Sequence, residues 1–162
     1  MEDKQLKAIV DSIVERYKNT DTQKGSRKVD LATALELCEA VKKEAKRIGV
    51  KAVVCVSDRG GHPILVECMD DAYIASYDVA VNKAFTVVAL KMSTMTLKPL
   101  AQPGESLYGI QFTNGGRIVI FGGGEPLTNE NGDIIGGLGV SGGSEEQDTA
   151  LAAFGSNFFK LM

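Results

Sequence analysis

The chain has 162 residues, 18 Lys and Arg against 21 Asp and Glu, and a formal net charge of −3 with a pI ≈ 5.2. That is the length of one domain, and the acidic balance, with no basic patch among aromatics, argues against a nucleic-acid surface. No apolar run approaches the roughly 18 residues of a membrane span, and the charged, amphipathic N-terminus lacks a signal-peptide pattern.

Residues 2–18 place Leu6, Ile9, Val10, Ile13, Val14 and Tyr17 at helical spacing with charge on the opposite face. The following N-T-D-T-Q-K-G-S-R-K has no apolar side chain and reads as a linker. We therefore divide the chain into an amphipathic N-terminal helix (1–20), a linker (21–29) and a domain (30–162). Such a tethered helix either folds back on the domain or docks on a partner.

Asp30 is a good N-cap for a helix running to about Ile48 and closed by Gly49, with Leu31, Leu35, Leu37, Cys38 and Val41 apolar. V-K-A-V-V-C-V-S-D is nearly continuously apolar, as in a strand covered on both faces. Gly60-Gly61 signals a hairpin turn, returning through Pro63 to Met69. Cys55 and Cys68 are expected near each other across it. With Cys38 they make neither a disulfide framework nor a CxxC metal pattern, which fits free thiols in a reducing cytoplasm.

Asp71 to about Met92 reads as the longest helix. Its few polar residues form a narrow stripe of Asp78, Asn82 and Thr86, with Ser76 and Lys83 beside it. A helix so apolar all round must be covered on more than one side, and one sheet covers only one, so a homo-oligomer is expected. Residues 93–116, with two prolines and four glycines, read as a long irregular connection.

Arg117 to Phe121 reads as a strand, Glu125 to Asp133 as a turn, and Ile134 to Ser141 as the returning strand. Alternation puts Ile135, Gly137, Gly139 and Ser141 on one face of that last strand. This face is almost bare backbone, and glycine inside a strand marks close approach of a helix, a neighbouring subunit or a flat ligand. Ser144 caps a terminal helix that begins E-E-Q-D and carries Leu151, Phe154 and Phe158 on its apolar side. The order of elements predicts an α+β domain, an antiparallel sheet with helices packed against it.

No phosphate-loop or dinucleotide motif is present, and a single histidine, His62, excludes a hydrolase triad of ordinary kind and a histidine-built zinc site. One histidine does suffice as an axial ligand to a haem iron. The acidic first turn of the terminal helix favours capping over anion binding at Ser141–Ser144.

The segments D-R-G-G-H-P-I-L-V-E-C-M-D-D-A, A-V-N-K-A-F-T and F-G-G-G-E-P-L … G-D-I-I-G-G-L-G-V-S-G-G-S-E-E-Q-D closely resemble the GlcG/HbpS-like haem-binding family, from about Val29 to the C-terminus. That family includes the C-terminal domain of PduO-type cobalamin adenosyltransferases. The resemblance implies a profilin-like layered fold, a homo-oligomer and, for some members, binding or slow degradation of haem. Matching positions are Arg59, Asp70, Lys83, Gly123, Pro126, Gly139, Ser141, Gly142 and Asp148. His62 is the candidate iron ligand, with Tyr73, Tyr77, Met69 and Cys68 behind it, and His62, Tyr73, Tyr77, Lys83, Gly137 and Gly139 are the candidate cofactor-binding positions.

No adenosyltransferase domain is present in this sequence, so that activity is not carried over. The N-terminal helix looks like the encapsulation peptides that recruit cargo into bacterial microcompartments, so shell or cargo proteins are expected partners of residues 1–20 and the microcompartment lumen a possible location. The leading reading is a haem- or tetrapyrrole-binding accessory protein in cofactor maintenance or redox sensing. The rivals are a ligand-free scaffolding oligomer and an enzyme of oxidative haem degradation.

Overall fold

The structure, a computed structural model, describes Lys7, Asp11 and residues 27–162. The expected N-terminal helix and most of the linker lie outside the described residues. The elements are α1 (Leu31–Arg47), β1 (Val53–Asp58), β2 (Pro63–Cys68), α2 (Ile74–Leu90), α3 (Thr94–Leu100), two 3-10 turns (Ile110–Phe112 and Asn114–Gly116), β3 (Gly124–Thr128), β4 (Ile134–Ser141) and α4 (Glu145–Leu161). The strands form one antiparallel sheet in the order β2-β1-β4-β3. This is the expected α+β layering.

Local chemistry starts and stops the helices where expected. The Thr33 N–H donates to the Asp30 carboxylate at 2.9 Å, and Gly49 takes φ 75° beyond the C-terminus of α1. Ser144 and Gln147 close a reciprocal capping box at α4. Central β1 is buried throughout Val53–Ser57, as a strand covered on both faces must be. On one side, α1 and α4 enclose Leu37, Val41, Val54, Val56, Leu138, Val140, Leu151 and Phe159; on the other, α2 lies over Val53 and Cys55.

Four expectations are corrected. Arg117–Phe121 is not a strand. The Val119 N–H donates to Thr86 Oγ1 at 2.9 Å, and that hydroxyl lies 3.3 Å from the Arg117 carbonyl, so a helix side chain takes the partners that a ladder would supply. The strand begins after the glycines, at Gly124. It contains Pro126, which an edge strand tolerates because no ladder donor is needed on its outer side.

Residues 93–116 are less irregular than expected, holding α3, capped by Ser93, and two 3-10 turns. In the terminal helix Phe159 is fully buried while Phe154 is 38% exposed, and in α1 both Leu31 and Leu35 are exposed, with Ala34 and Ala45 taking the core positions. Finally, the register shifts between Leu127 and Thr128, and Ile135 packs with Leu138 and Val140, not on the glycine face.

Candidate functional site

The glycine face of β4 is closed by the chain's own α2. A Cβ on Gly139 would be driven into the Ala80 carbonyl oxygen, and one on Gly137 into that of Ala84. Ser141 Oγ meets Ser76 Oγ at 3.1 Å. Gly137 and Gly139 are therefore helix-packing positions, not an open wall for a planar ligand. The physical reason is the close approach itself, since only a strand without side chains lets the helix backbone come so near.

Lys83 is corrected on the same ground. Its side chain is fully buried. Nζ donates to the Val140 carbonyl at 2.7 Å and to Asp148 Oδ2 at 3.0 Å, and lies 5.0 Å from the centre of the Phe121 ring. Burial pushes the amine below its ordinary pKa, and the Asp148 carboxylate pulls it back up. Asp148 Oδ1 also accepts from the Gly143 N–H at 2.9 Å. A Cβ on Gly123 would stand 2.5 Å from Nζ, so that glycine makes room for the ammonium. The pair ties α2, β4 and the start of α4 together, buried beneath the surface.

His62, by contrast, is presented outward. Asp58 Oδ1 accepts the Gly60 N–H at 2.8 Å and the His62 N–H at 3.0 Å, an Asx-type turn that holds the β1–β2 connection. The same oxygen lies 3.4 Å from His62 Nδ1, a charge contact longer than a good hydrogen bond. These donors hold the Asp58 carboxyl below its usual range, the His62 N–H being the largest cause. The imidazole is 82% exposed. Asp58 was missed in the sequence, where D-R-G-G-H carried the signal: an Asp ahead of two turn glycines.

Beside this turn runs the outer side of α2. Gly61 (φ 76°) abuts Phe85, on whose ring the Arg117 guanidinium stacks at 3.6 Å. Towards the N-terminus of α2, Tyr73, Ile74 and Tyr77 are 73%, 96% and 50% exposed. Twelve residues separate Tyr73 from Phe85, about 18 Å along an ideal helix. The structure thus keeps His62 and Tyr73 at opposite ends of α2, and within one chain they do not converge on one atom. The buried side of α2 carries Ser76, Lys83 and Thr86 together with Ala80, Ala84 and Val87, while Ile74, Tyr77 and Asp78 lie outside.

Cys68 is exposed, and Cys38 and Cys55 are buried, with burial pushing both thiols up to about 12. Cys68 stands opposite Val53 and Cys55 opposite Val66, so the two cysteines are diagonal neighbours and stay free. Met69 is half-buried, its sulfur accepting from the Ala52 N–H. Among the described residues no group of three or more His, Cys, Asp or Glu gathers to hold a metal ion, so His62 stands as a single donor. Nor, among them, is any helix long and apolar enough to cross a membrane.

An antiparallel sheet between one long helix and a helix pair defines an α+β layered domain. The chain belongs to the HbpS-like family, whose model, described as "Haem degrading protein HbpS-like", matches residues 29–156. It is 48% identical over 124 residues to an uncharacterized 15.0 kDa protein from the dhaT-dhaS intergenic region of Citrobacter freundii, covering 76% of this chain and 87% of that one. It is similar to the solved structure titled "PduOC:Heme Complex", at 37% identity and a TM-score of 0.77 over 81% of this chain and 94% of that one. Against the corrinoid adenosyltransferase PduO of Citrobacter freundii it is 35% identical over 89% of its own length, but it spans only 44% of that longer protein.

Proposed function

We propose that this protein binds haem or a closely related tetrapyrrole and serves as an accessory protein in cofactor maintenance or redox sensing. The observation that carries the reading is the haem complex formed by a relative with the same fold, 37% identical over 81% of this chain. The donor set here suits the group. His62 supplies an outward imidazole, Arg59 in the same turn is an exposed cation suited to a propionate, and Tyr73, Ile74 and Tyr77 offer apolar and phenolic surface. Bound haem would supply the iron chemistry; the chain's part is to ligate it, to shield it and to pair its carboxylates.

The same surface supports a homo-oligomer. Ile74, Tyr73 and Phe112 are too exposed for a chain acting alone, and a second copy laid over α2 would complete the wall that one chain leaves open. Residues 1–20 are assigned as an address peptide for a microcompartment shell or its cargo. Deleting them should abolish co-localisation with shell proteins; unchanged co-localisation would reject that assignment.

Hemin titration tests the main reading. A sharpened Soret band reaching a defined stoichiometry is expected, and broad absorbance without saturation would favour a ligand-free scaffold. His62→Ala should shift or broaden that band, and a spectrum identical to the parent's would remove His62 as the ligand. The family description also motivates an enzymatic variant of this reading, oxidative haem degradation. Loss of the Soret band only when reductant and oxygen are supplied, with iron released, would establish it.

A further inference from the structure

The arginines of residues 27–162 are Arg27, Arg47, Arg59 and Arg117. Arg27 meets Glu130 and Arg47 meets Glu44, whereas among the described residues no carboxylate forms an ion pair with Arg59 or Arg117. Both unpaired cations lie at the β1–β2 turn. Arg59 belongs to it, and Arg117 adjoins it through Phe85, whose ring edge Gly61 abuts. We infer that Arg59 and Arg117 form a carboxylate clamp beside His62, which selects tetrapyrroles with ionised propionates over amidated corrinoids such as cobalamin. The inference rests on the haem reading above and narrows it to one class of ligand.

Arg117 is held at both ends by neighbouring residues of α2. Its carbonyl lies 3.3 Å from Thr86 Oγ1, and its guanidinium lies 3.6 Å from the centre of the Phe85 ring. So close an approach leaves room only for a flat stack. Stacking uses the face of a guanidinium and leaves its N–H groups pointing outward in the plane, the fork that matches a carboxylate. The side chain is half-buried and already ordered, so it loses little further freedom when an anion arrives.

The acid nearest in sequence is committed elsewhere. Asp58 Oδ1 accepts the Gly60 and His62 N–H groups and so serves the turn itself. Two cations on one side of that turn make a local positive field suited to a dianion. Haem carries both propionates on one edge of the macrocycle, so the groups that pair them must stand to one side of the iron ligand. Arg59 precedes His62 by three residues, and Arg117 is set off from the turn by the width of one ring. If the stack served only to pin residues 93–116 against α2, replacing it would change folding and leave ligand choice alone.

The test is the affinity for a free acid divided by that for its dimethyl ester, because any loss of fold affects both ligands alike. Hemin and protoporphyrin IX are both titrated, the second because it lacks iron and reads the clamp apart from His62. In the parent each acid should bind at least about tenfold more tightly than its ester, as two partly exposed ion pairs allow. Arg59→Gln and Arg117→Gln should each shrink that ratio by about threefold or more. Phe85→Leu, which keeps the charge but removes the stack, should shrink it as well. Cyanocobalamin should fail to displace hemin. If hemin saturates the parent but the ratio is indifferent to these variants, or cyanocobalamin displaces hemin, the clamp is overturned while haem binding stands. Hemin that never saturates the parent would overturn both.

Discussion

Asp148→Ala is expected to lower the stability of the folded chain by about 4 kcal/mol, because it strands a buried ammonium. Lys83 has no exposed side-chain surface, and its charge is met by Asp148 at 3.0 Å, the Val140 carbonyl and the Phe121 ring, with Glu145 adding a more distant attraction. Removing the carboxylate leaves the cation's desolvation uncompensated and also frees the Gly143 N–H at the start of α4. The cheapest escape is for the amine to lose its proton, which keeps the loss finite. Lys83→Met alone should cost less, since a thioether fills most of the same volume and the remaining Asp148 still accepts from Gly143. The double change Lys83→Met with Asp148→Leu should recover part of the loss, as apolar replacements of buried pairs often do. Urea unfolding of the four proteins closes a double-mutant cycle. A coupling energy near zero would show that the pair is not the strut described above, and hemin binding retained in a folded Lys83→Met would separate that structural role from ligand contact.

The second large effect is expected at Gly139. An alanine there should cost about 3 kcal/mol, the upper part of the range for overpacking a dense interior. At roughly 3 °C for each kcal/mol in a domain of this size, the melting temperature falls by about 9 °C. The new methyl meets backbone, the carbonyl of Ala80 and the amide of Ala84, which cannot swing aside as a side-chain end can. Either α2 lifts from the sheet or β4 bends. Were the glycine face a ligand wall, the same substitution would leave thermal stability alone and block hemin. Thermal melts and a hemin titration on Gly139→Ala therefore distinguish packing from ligand contact, and an unchanged melt with abolished binding would sink the packing account. The methyl group's effect should also be local: Gly132→Ala, in an exposed turn with open space around it but φ 83°, pays only for strained backbone.

Both predictions turn on contacts that no stretch of sequence could reveal alone. What was legible was short in range. Asp30 and Ser144 announce helix starts because their side chains bond amides three residues on, and Gly49, Gly60 and Gly61 mark ends and turns through backbone freedom held within a few residues. The bounds of β4 and the two-sided burial of β1 followed from composition and period in the same way. The lone histidine and its turn could be found too, since one residue type at one loop needs no tertiary information.

Tertiary structure alone decided which surface meets which. Arg117–Phe121 has every local mark of a strand, yet Thr86, thirty-one residues earlier, captures its backbone. Of the polar residues on α2, Asp78 stays exposed while Lys83 and Thr86 are buried, because Lys83 finds Asp148, sixty-five residues away, and Thr86 meets the backbone of residues 117–119. By itself the sequence determined the class of fold, the helix caps, a single turn histidine and a long, largely apolar helix. It left open whether glycine faces, buried charges and apolar stripes were meant for a ligand, a sister chain or the chain itself. Hydrogen-bond periods act over four residues, whereas burial is settled by whichever distant segment arrives, and that depends on the path of the whole chain.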